Sequence, residues 1–316
     1  MKKVVVIGGG TGVFTVLSGL KEYEYELSAI VTMADDGGST GILREEFGVL
    51  PPGDIRRALV ALSSSDNKIV SDLFNYRFDS NSSLHGHSLG NLLLTALEKI
   101  TGNINLALKE AVTILNVKGE VVPVTLEKTK LNAELEDGKV IEGESNIDIP
   151  KHDPRLKIKK VFLSPPAKAN KYAVKTIMEA NYIILGPGDL YTSIIPNLLV
   201  QEIVPALKRT HAQIIYVVNI MTKYGETNKF QASDFIRVIE EYLGEGVLDY
   251  AVVNVEKMKG EILQRYKEEN VDYVEYDKEK FNSKPKILTG KFLRKGHFLR
   301  HDQEKLAKTL SKIIGR

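Results

Sequence analysis

A chain of 316 residues, 43% hydrophobic and 27% charged, has the make-up of an ordinary globular protein and is long enough for one large α/β unit. A net charge of +2, with no basic run interleaved with aromatics, argues against nucleic acid as a partner, and the absence of cysteine excludes disulfides and thiolate metal sites. No apolar run is long enough to span a bilayer and the first residues pass straight into a strand, so neither a membrane span nor a signal peptide is read; a cytoplasmic setting is expected.

Residues 4–7 (VVVI) form a wholly apolar run, the pattern of a strand buried on both faces of a parallel sheet. Gly8, Gly9, Gly10, Thr11 and Gly12 follow at once, and apolar residues resume at helical spacing over 13–20. Strand, glycine turn and helix start together aim backbone N–H groups and a helix dipole at an anion. Val13 stands where a dinucleotide fingerprint has its third glycine, and no Lys–Ser/Thr pair follows, so neither a nicotinamide cofactor nor a Walker loop is expected. The turn is read as a phosphate cradle, with a purely structural tight turn as the alternative.

A second strand, 27–32, ends in MADDGGSTG. Asp35 and Asp36 there can hold a divalent cation, Asp35 can instead contact a ribose hydroxyl, or the segment is a solvated Asp–Gly turn. After Pro51 and Pro52, Asp54 is expected to cap a helix over 55–63 that carries Arg56 and Arg57 in its first turn, facing either an anion or solvent. A helix over 69–78 follows. His85 and His87 lack a third ligand at metal spacing. Ser88 is expected to cap a helix whose first turn holds Gly90 and Asn91, unusual residues that suggest close approach of a ligand. Asn103 caps the next helix, 104–115.

Between about 118 and 150 the segments are short, strand-like and separated by turns, read as a small antiparallel β insertion too short to form a core of its own. Residues 143–155 read as a loop. The α/β rhythm resumes with strand 159–163, helix 167–179 and strand 182–185. That last strand runs into a second glycine turn, Gly186, Pro187 and Gly188, with Tyr191, Thr192 and Ser193 supplying hydroxyls at a helix opening. Strand 214–218 ends in Asn219 and strand 250–253 in Asn254, two amides at the carboxyl edge of the sheet that suit a base or sugar. Ser233 or Asp234 is expected to cap the helix between them. A helix through Tyr266, a strand over 271–276 and a final helix from Asp302 complete the chain; Arg300 and His301 just before it are read as surface residues or ligand contacts.

The motifs GGGTG, ADDGGSTG, PPGDIRRAL, HGHSLGNLLL, GPGDLYTSIIPNLL, NIMTKYGET and LRHD together resemble the CofD-like superfamily, and more narrowly its gluconeogenesis-factor (YvcK-like) branch. The resemblance runs over nearly the full length, in the family's order. It implies one domain over 1–316, a Rossmann-like three-layer α/β/α fold with a mostly parallel sheet and the small antiparallel insertion. The superfamily's name-giving members are Mg²⁺-dependent 2-phospho-L-lactate transferases acting on a guanosine diphosphate-type donor. The branch is associated instead with gluconeogenic growth, cell shape and wall synthesis, and with binding of UDP-sugars.

The resemblance thus implies a nucleotide-sugar-binding regulator with protein partners in wall synthesis, a homodimer being the assumed assembly. The alternative is a phospholactyl-type transferase in which Asp35 and Asp36 hold Mg²⁺ and Asp36 and Asp54 are catalytic. Residues 8–12 and 186–193 match the nucleotide-binding turns, Asn219 and Asn254 the strand-end positions, and Tyr266 and Arg300 the UDP-sugar contacts. Two departures separate the chain from the transferases: PPGDIRR replaces their acidic Ser-Pro-Asp-x-Asp-Thr segment, and no Gly-Asp-Trp segment is present. Asp189 stands where the family usually has Ser, and a carboxylate facing a phosphate is repulsive.

Overall fold

The computed structural model describes residues 1–64, 68–79, 82–257, 261–281, 284–294, 296 and 298–315. The apolar run at the N-terminus becomes β1 (Lys2–Gly8), whose Val4, Val5, Val6 and Ile7 are all buried. It sits in the middle of a seven-stranded sheet. On one side lie β2 (Tyr25–Val31) and β3 (Glu120–Pro123); on the other lie β7 (Tyr182–Leu185), β8 (Gln213–Val217), β9 (Tyr250–Asn254) and β10 (Lys286–Gly290). Every pairing in this sheet is parallel, from Val6 opposite Ala29 to Leu288 opposite Val252.

The chain therefore builds outward from β1 in one direction, returns, and builds outward from β7 in the other. The switch point lies between β1 and β7, where open α/β sheets leave a crevice at the carboxyl ends of their strands. Helices cover both faces. On one, α1 (Gly10–Leu20) packs against α3 (Pro52–Leu62) and α13 (Gln303–Ile314), with α5 (Leu89–Thr101) and α6 (Ile104–Leu115) beyond α3. On the other lie α8 (Lys171–Glu179), α9 (Ile195–Leu198), α10 (Ile203–Arg209) and α11 (Ala232–Leu243). The expected three-layer α/β/α architecture is observed.

Local capping chemistry is largely as the residue types dictate. Ser88 Oγ accepts the Asn91 N–H at 3.3 Å, Asn103 Oδ1 that of Asn105 at 2.8 Å, and Asp302 Oδ1 that of Lys305 at 3.0 Å. At α11 the cap is Gln231 rather than Ser233 or Asp234; Asp234 sits three residues on and reaches back to the Gln231 N–H at 2.9 Å. Asp54 does not cap its helix either, since α3 starts at Pro52 and Asp54 lies inside its first turn.

The antiparallel insertion is real but shifted. VVP joins the main sheet as parallel edge strand β3, and the small sheet consists of β4 (Lys130–Leu135), β5 (Val140–Glu142) and β6 (Ile158–Ser164), in the order β5-β4-β6. Strand 159–163, expected to resume the parallel sheet, instead pairs antiparallel with β4 from Lys130–Ser164 to Leu135–Ile158. Residues 144–148, expected as loop, form the short helix α7 (Glu144–Asp148). Residues 271–276 do not form a strand: Thr222 donates its N–H to Asp272 O (2.8 Å), and Val274 its own to Ile220 O (2.9 Å), so this segment braces the loop after β8. The edge strand at the other side of the main sheet is the half-exposed β10, whose residues are of mixed polarity.

Candidate functional site

The two glycine turns, 178 residues apart from Gly8 to Gly186, are neighbours because β1 and β7 are paired. Their approach is so close that a Cβ on Gly12 would lie 1.7 Å from the Pro187 carbonyl oxygen, so no other residue fits there. Gly10 has φ of +62°, the left-handed region glycine adopts without strain, and its N–H donates to Asp54 Oδ1 at 2.9 Å. Asp54 thus ties α3 to the first turn instead of capping its own helix. Its carboxyl is buried, and that burial, with the charge of Asp35 and against the nearby Arg57, pushes it up to about 6. The half-exposed Arg57 approaches it at 3.4 Å, whereas Arg56 is buried and held by Asn91 Oδ1 at 3.0 Å and Asn75 Oδ1 at 2.6 Å.

A cavity of about 540 Å³ opens over this junction, lined by Gly9, Gly10, Thr11, Gly12, Asp35 and Ser193 among others. A second cavity, of about 340 Å³, continues from it. The two share Thr11, Gly12, Gly188, Asp189 and Arg300, so they form one cleft along the carboxyl edge of the sheet. Asn219 and Tyr266 line the second half. The Tyr266 hydroxyl accepts the Leu299 N–H at 3.2 Å, which fixes the segment carrying Arg300 over the cleft.

Other expected site residues take supporting places. Gly8 O accepts the Thr32 N–H at 3.0 Å, and Gly186 donates to Ile7 O at 2.9 Å, so both shape the turns from behind. Tyr191 is buried, and burial raises its hydroxyl above the usual range. Asn91 reaches the cavity wall, yet its amide is engaged with Arg56 and with Ser39 Oγ at 3.2 Å. Asn254 is not brought to the cleft. Its Oδ1 accepts the Phe292 N–H at 3.0 Å and its Nδ2 donates to Glu256 O at 2.8 Å, joining β9 to the turn after β10. His87 is buried with Nδ1 2.9 Å from Ser39 Oγ.

The acidic pair is split. Asp35 lines the first cavity, while the Asp36 carboxylate accepts from Ser145 N–H (2.9 Å), Ser145 Oγ (2.6 Å) and Glu144 N–H (3.2 Å), and so serves the N-terminus of α7. A Mg²⁺ ion shared by Asp35 and Asp36 does not fit this donor set, because Asp36 is consumed by α7. Glu144, on the same short helix, also lines the cavity; burial and the neighbouring charges of Asp35 and Asp148 push it up to about 9, so it is neutral at physiological pH.

Among the described residues, metal-like carboxylate spacing occurs at Asp148, Asp189 and Glu226. A cation of the chain's own already sits there. Lys223 Nζ lies 2.9 Å from Asp189 Oδ2 and 3.2 Å from Glu226 Oε1, and pairs with Asp148 as well. Burial alone would lower this ammonium; the charges of Glu226, Asp189 and Asp148 override it and hold it fully protonated. The knot accounts for the carboxylate at 189: it faces Lys223 rather than standing alone against a phosphate. Lys223 and Asp148 escaped the sequence reading because their partners lie 34 and 75 residues away along the chain.

The family model described as 2-phospho-L-lactate transferase CofD matches residues 4–292. The chain belongs to the CofD family. Within that family its similarity is to proteins named gluconeogenesis factor. A putative gluconeogenesis factor from a Nostoc species is 47% identical over 99% of this chain and 69% of its own length. The gluconeogenesis factor of Bacillus subtilis is 41% identical over 99% of this chain and 98% of its own. A crystal structure of a UPF0052 family member from Bacillus halodurans superposes with a TM-score of 0.92 at 40% identity, covering 98% of this chain and 99% of that one. The resemblance read from the motifs holds at both levels, family and branch, and so does the fold.

Proposed function

We propose that the cleft binds a nucleotide sugar of the UDP-sugar class, and that the protein is a cytoplasmic regulator of the gluconeogenesis-factor type linking carbon metabolism to wall synthesis and cell shape. The observation that carries the binding part is the contact of two glycine turns at the switch point. Together they line one wall with backbone and small side chains, where a diphosphate can approach without a Cβ in the way. Thr11, Ser193 and Arg300 add polar groups, and the second half of the cleft has the size and mixed lining of a nucleoside pocket. The gluconeogenic part takes its support from the relatives' names, and the link to wall synthesis and cell shape only from what the motif resemblance implies.

The transferase alternative asks Asp35 and Asp36 to hold a cation together, and Asp36 is turned to α7.

Calorimetric titration with UDP-N-acetylglucosamine, with and without Mg²⁺, followed by mass analysis of the recovered ligand, tests the proposal. Saturable binding with the sugar nucleotide returned intact is the expected result. Absence of binding refutes the reading; a cleaved nucleotide replaces it with a transferase.

A further inference from the structure

Residues 298–301 bury every second side chain. Leu299 is 5% exposed and His301 7%, whereas Arg300 is exposed and Phe298 keeps 55% of its surface in the open. Such a strand-like alternation puts residues two apart on one side of the chain. The ring and the guanidinium are therefore neighbours, with Arg300 Cζ 5.2 Å from the Phe298 centroid. The backbone beneath them is pinned: Arg294 donates its N–H to Arg300 O at 2.9 Å, Leu293 bridges to His301, and Leu299 packs with Ile220 and Leu293.

The ring is itself anchored. Arg265, on α12 (Glu261–Glu268), places its Cζ 5.6 Å from the Phe298 centroid and 5.8 Å from that of Tyr266, whose hydroxyl accepts the Leu299 N–H at 3.2 Å. Helix α12 thus grips this segment twice, at Phe298 and at Leu299. Among the described residues the Arg300 guanidinium has no ion pair and no hydrogen bond, so the Phe298 ring is the contact that holds it. Phe298 lines neither half of the cleft; Arg300 lines both.

We propose that Phe298 is a positioning residue of this cleft: its ring holds the Arg300 guanidinium at the junction of the two glycine turns before a ligand arrives. An arginine side chain has many rotamers, and fixing it on binding weakens affinity. A ring face attracts the planar cation and narrows its range in advance, without competing for the N–H donors a ligand needs. A carboxylate partner would hold the guanidinium more firmly and would also occupy those donors. The proposal rests on the nucleotide-binding reading, and adds to it a residue that touches no ligand and acts through Arg300.

Calorimetric titration of the full chain with UDP-N-acetylglucosamine tests it, on the wild type, Phe298→Leu, Phe298→Tyr, Arg300→Ala and the double variant Phe298→Leu/Arg300→Ala, with a melting temperature for each. Phe298→Leu is expected to weaken binding by about two- to fivefold, the worth of an exposed cation–π contact, at an unchanged melting temperature. Phe298→Tyr, which keeps the ring, is expected to bind as the wild type does. In the Arg300→Ala background, loss of the ring is expected to change nothing further. A second readout needs no ligand: the Arg300 Nε–H proton resonance, assigned by its disappearance in Arg300→Ala, should move in Phe298→Leu as the ring current is removed and stay in place in Phe298→Tyr. If Phe298→Leu melts early, Phe298→Met carries the same test.

Unchanged affinity in a folded Phe298→Leu overturns the proposal while leaving the nucleotide cleft intact, as does equal weakening by leucine and tyrosine. Weakening that persists in the Arg300→Ala background overturns it too, because the ring would then act by another route. Should Arg300→Ala remove all measurable binding, the resonance decides, and one that ignores the loss of the ring overturns the proposal. Failure of the wild type to bind the sugar nucleotide overturns both readings.

Discussion

Asp54 stands in an unfavourable place for a charge: buried, beside Asp35, with a half-exposed Arg57 as partial compensation. Its folded carboxyl titrates at about 6 against the ordinary 3.8. Below the lower value both folded and unfolded chains carry the proton, and burial costs nothing in charge. As pH rises between the two values the unfolded chain ionises first, so this group's contribution to stability is lost progressively and is gone above about 6. Asp54→Asn keeps an oxygen for the Gly10 N–H and removes the charge. Thermal melts should therefore place the variant above the wild type at pH 7.5, by on the order of 1–3 kcal/mol, with the gap closing toward pH 4. A gap of equal size at both pH values would exclude the charge as its cause.

The two glycine turns and the Lys223 knot operate as joints between elements. Gly12→Ala places a methyl group on the Pro187 carbonyl, and a backbone oxygen has nowhere to retreat without parting β1 from β7. A loss on the order of 1–3 kcal/mol in denaturant unfolding is expected, with nucleotide binding abolished; a variant of native stability and affinity would contradict the close contact. Lys223 joins α7, the second glycine turn and the loop after β8 through Asp148, Asp189 and Glu226. In Lys223→Met three carboxylates face one another with no cation between them. Glu226, already pushed up to about 8 by burial against the pull of Lys223, should then keep its proton to still higher pH. Hydrogen exchange should show residues 144–148 opening faster than in the wild type, and stability falling by on the order of 2–3 kcal/mol, less than for a fully enclosed pair because Lys223 is 25% exposed. Unchanged exchange over α7 would mean the knot does not hold it.

At the scale of the molecule, one parallel sheet supplies both halves of the cleft, since the turns come from strands on either side of the switch point. A ligand across that point touches segments from the first residues to Arg300 and therefore stabilises the chain as a unit. UDP-N-acetylglucosamine at a hundredfold over its dissociation constant should add about 2.7 kcal/mol and raise the melting temperature by on the order of 5 °C. A melting curve indifferent to saturating ligand would argue against occupancy of this cleft. No helix among the described residues is long and apolar enough to cross a membrane.

Features that depend on neighbours along the chain can be read from residue order. The apolar run of β1, the two glycine turns, the caps at Ser88, Asn103 and Asp302, and the motif order that marks the CofD family were all legible, because strand period, turn conformation and capping are settled within a few residues. Part of the cleft was legible too: Gly9 to Gly12, Gly188 and Asn219 from their places after strands, and Tyr266 and Arg300 from the motif resemblance. Which strands pair depends on contacts between distant segments, so β3 and β6 exchanged the sheets their composition suggested and residues 271–276 became a brace. The same contacts decide which polar groups are already satisfied. Asp36 went to α7, Asn254 to the turn after β10 and Asp54 to Gly10, while Lys223, Glu226 and His301 came to the cleft region. A carboxylate or an amide has the same chemistry wherever it stands; whether it is left for a ligand depends on donors and acceptors tens of residues away, and packing alone sets those distances.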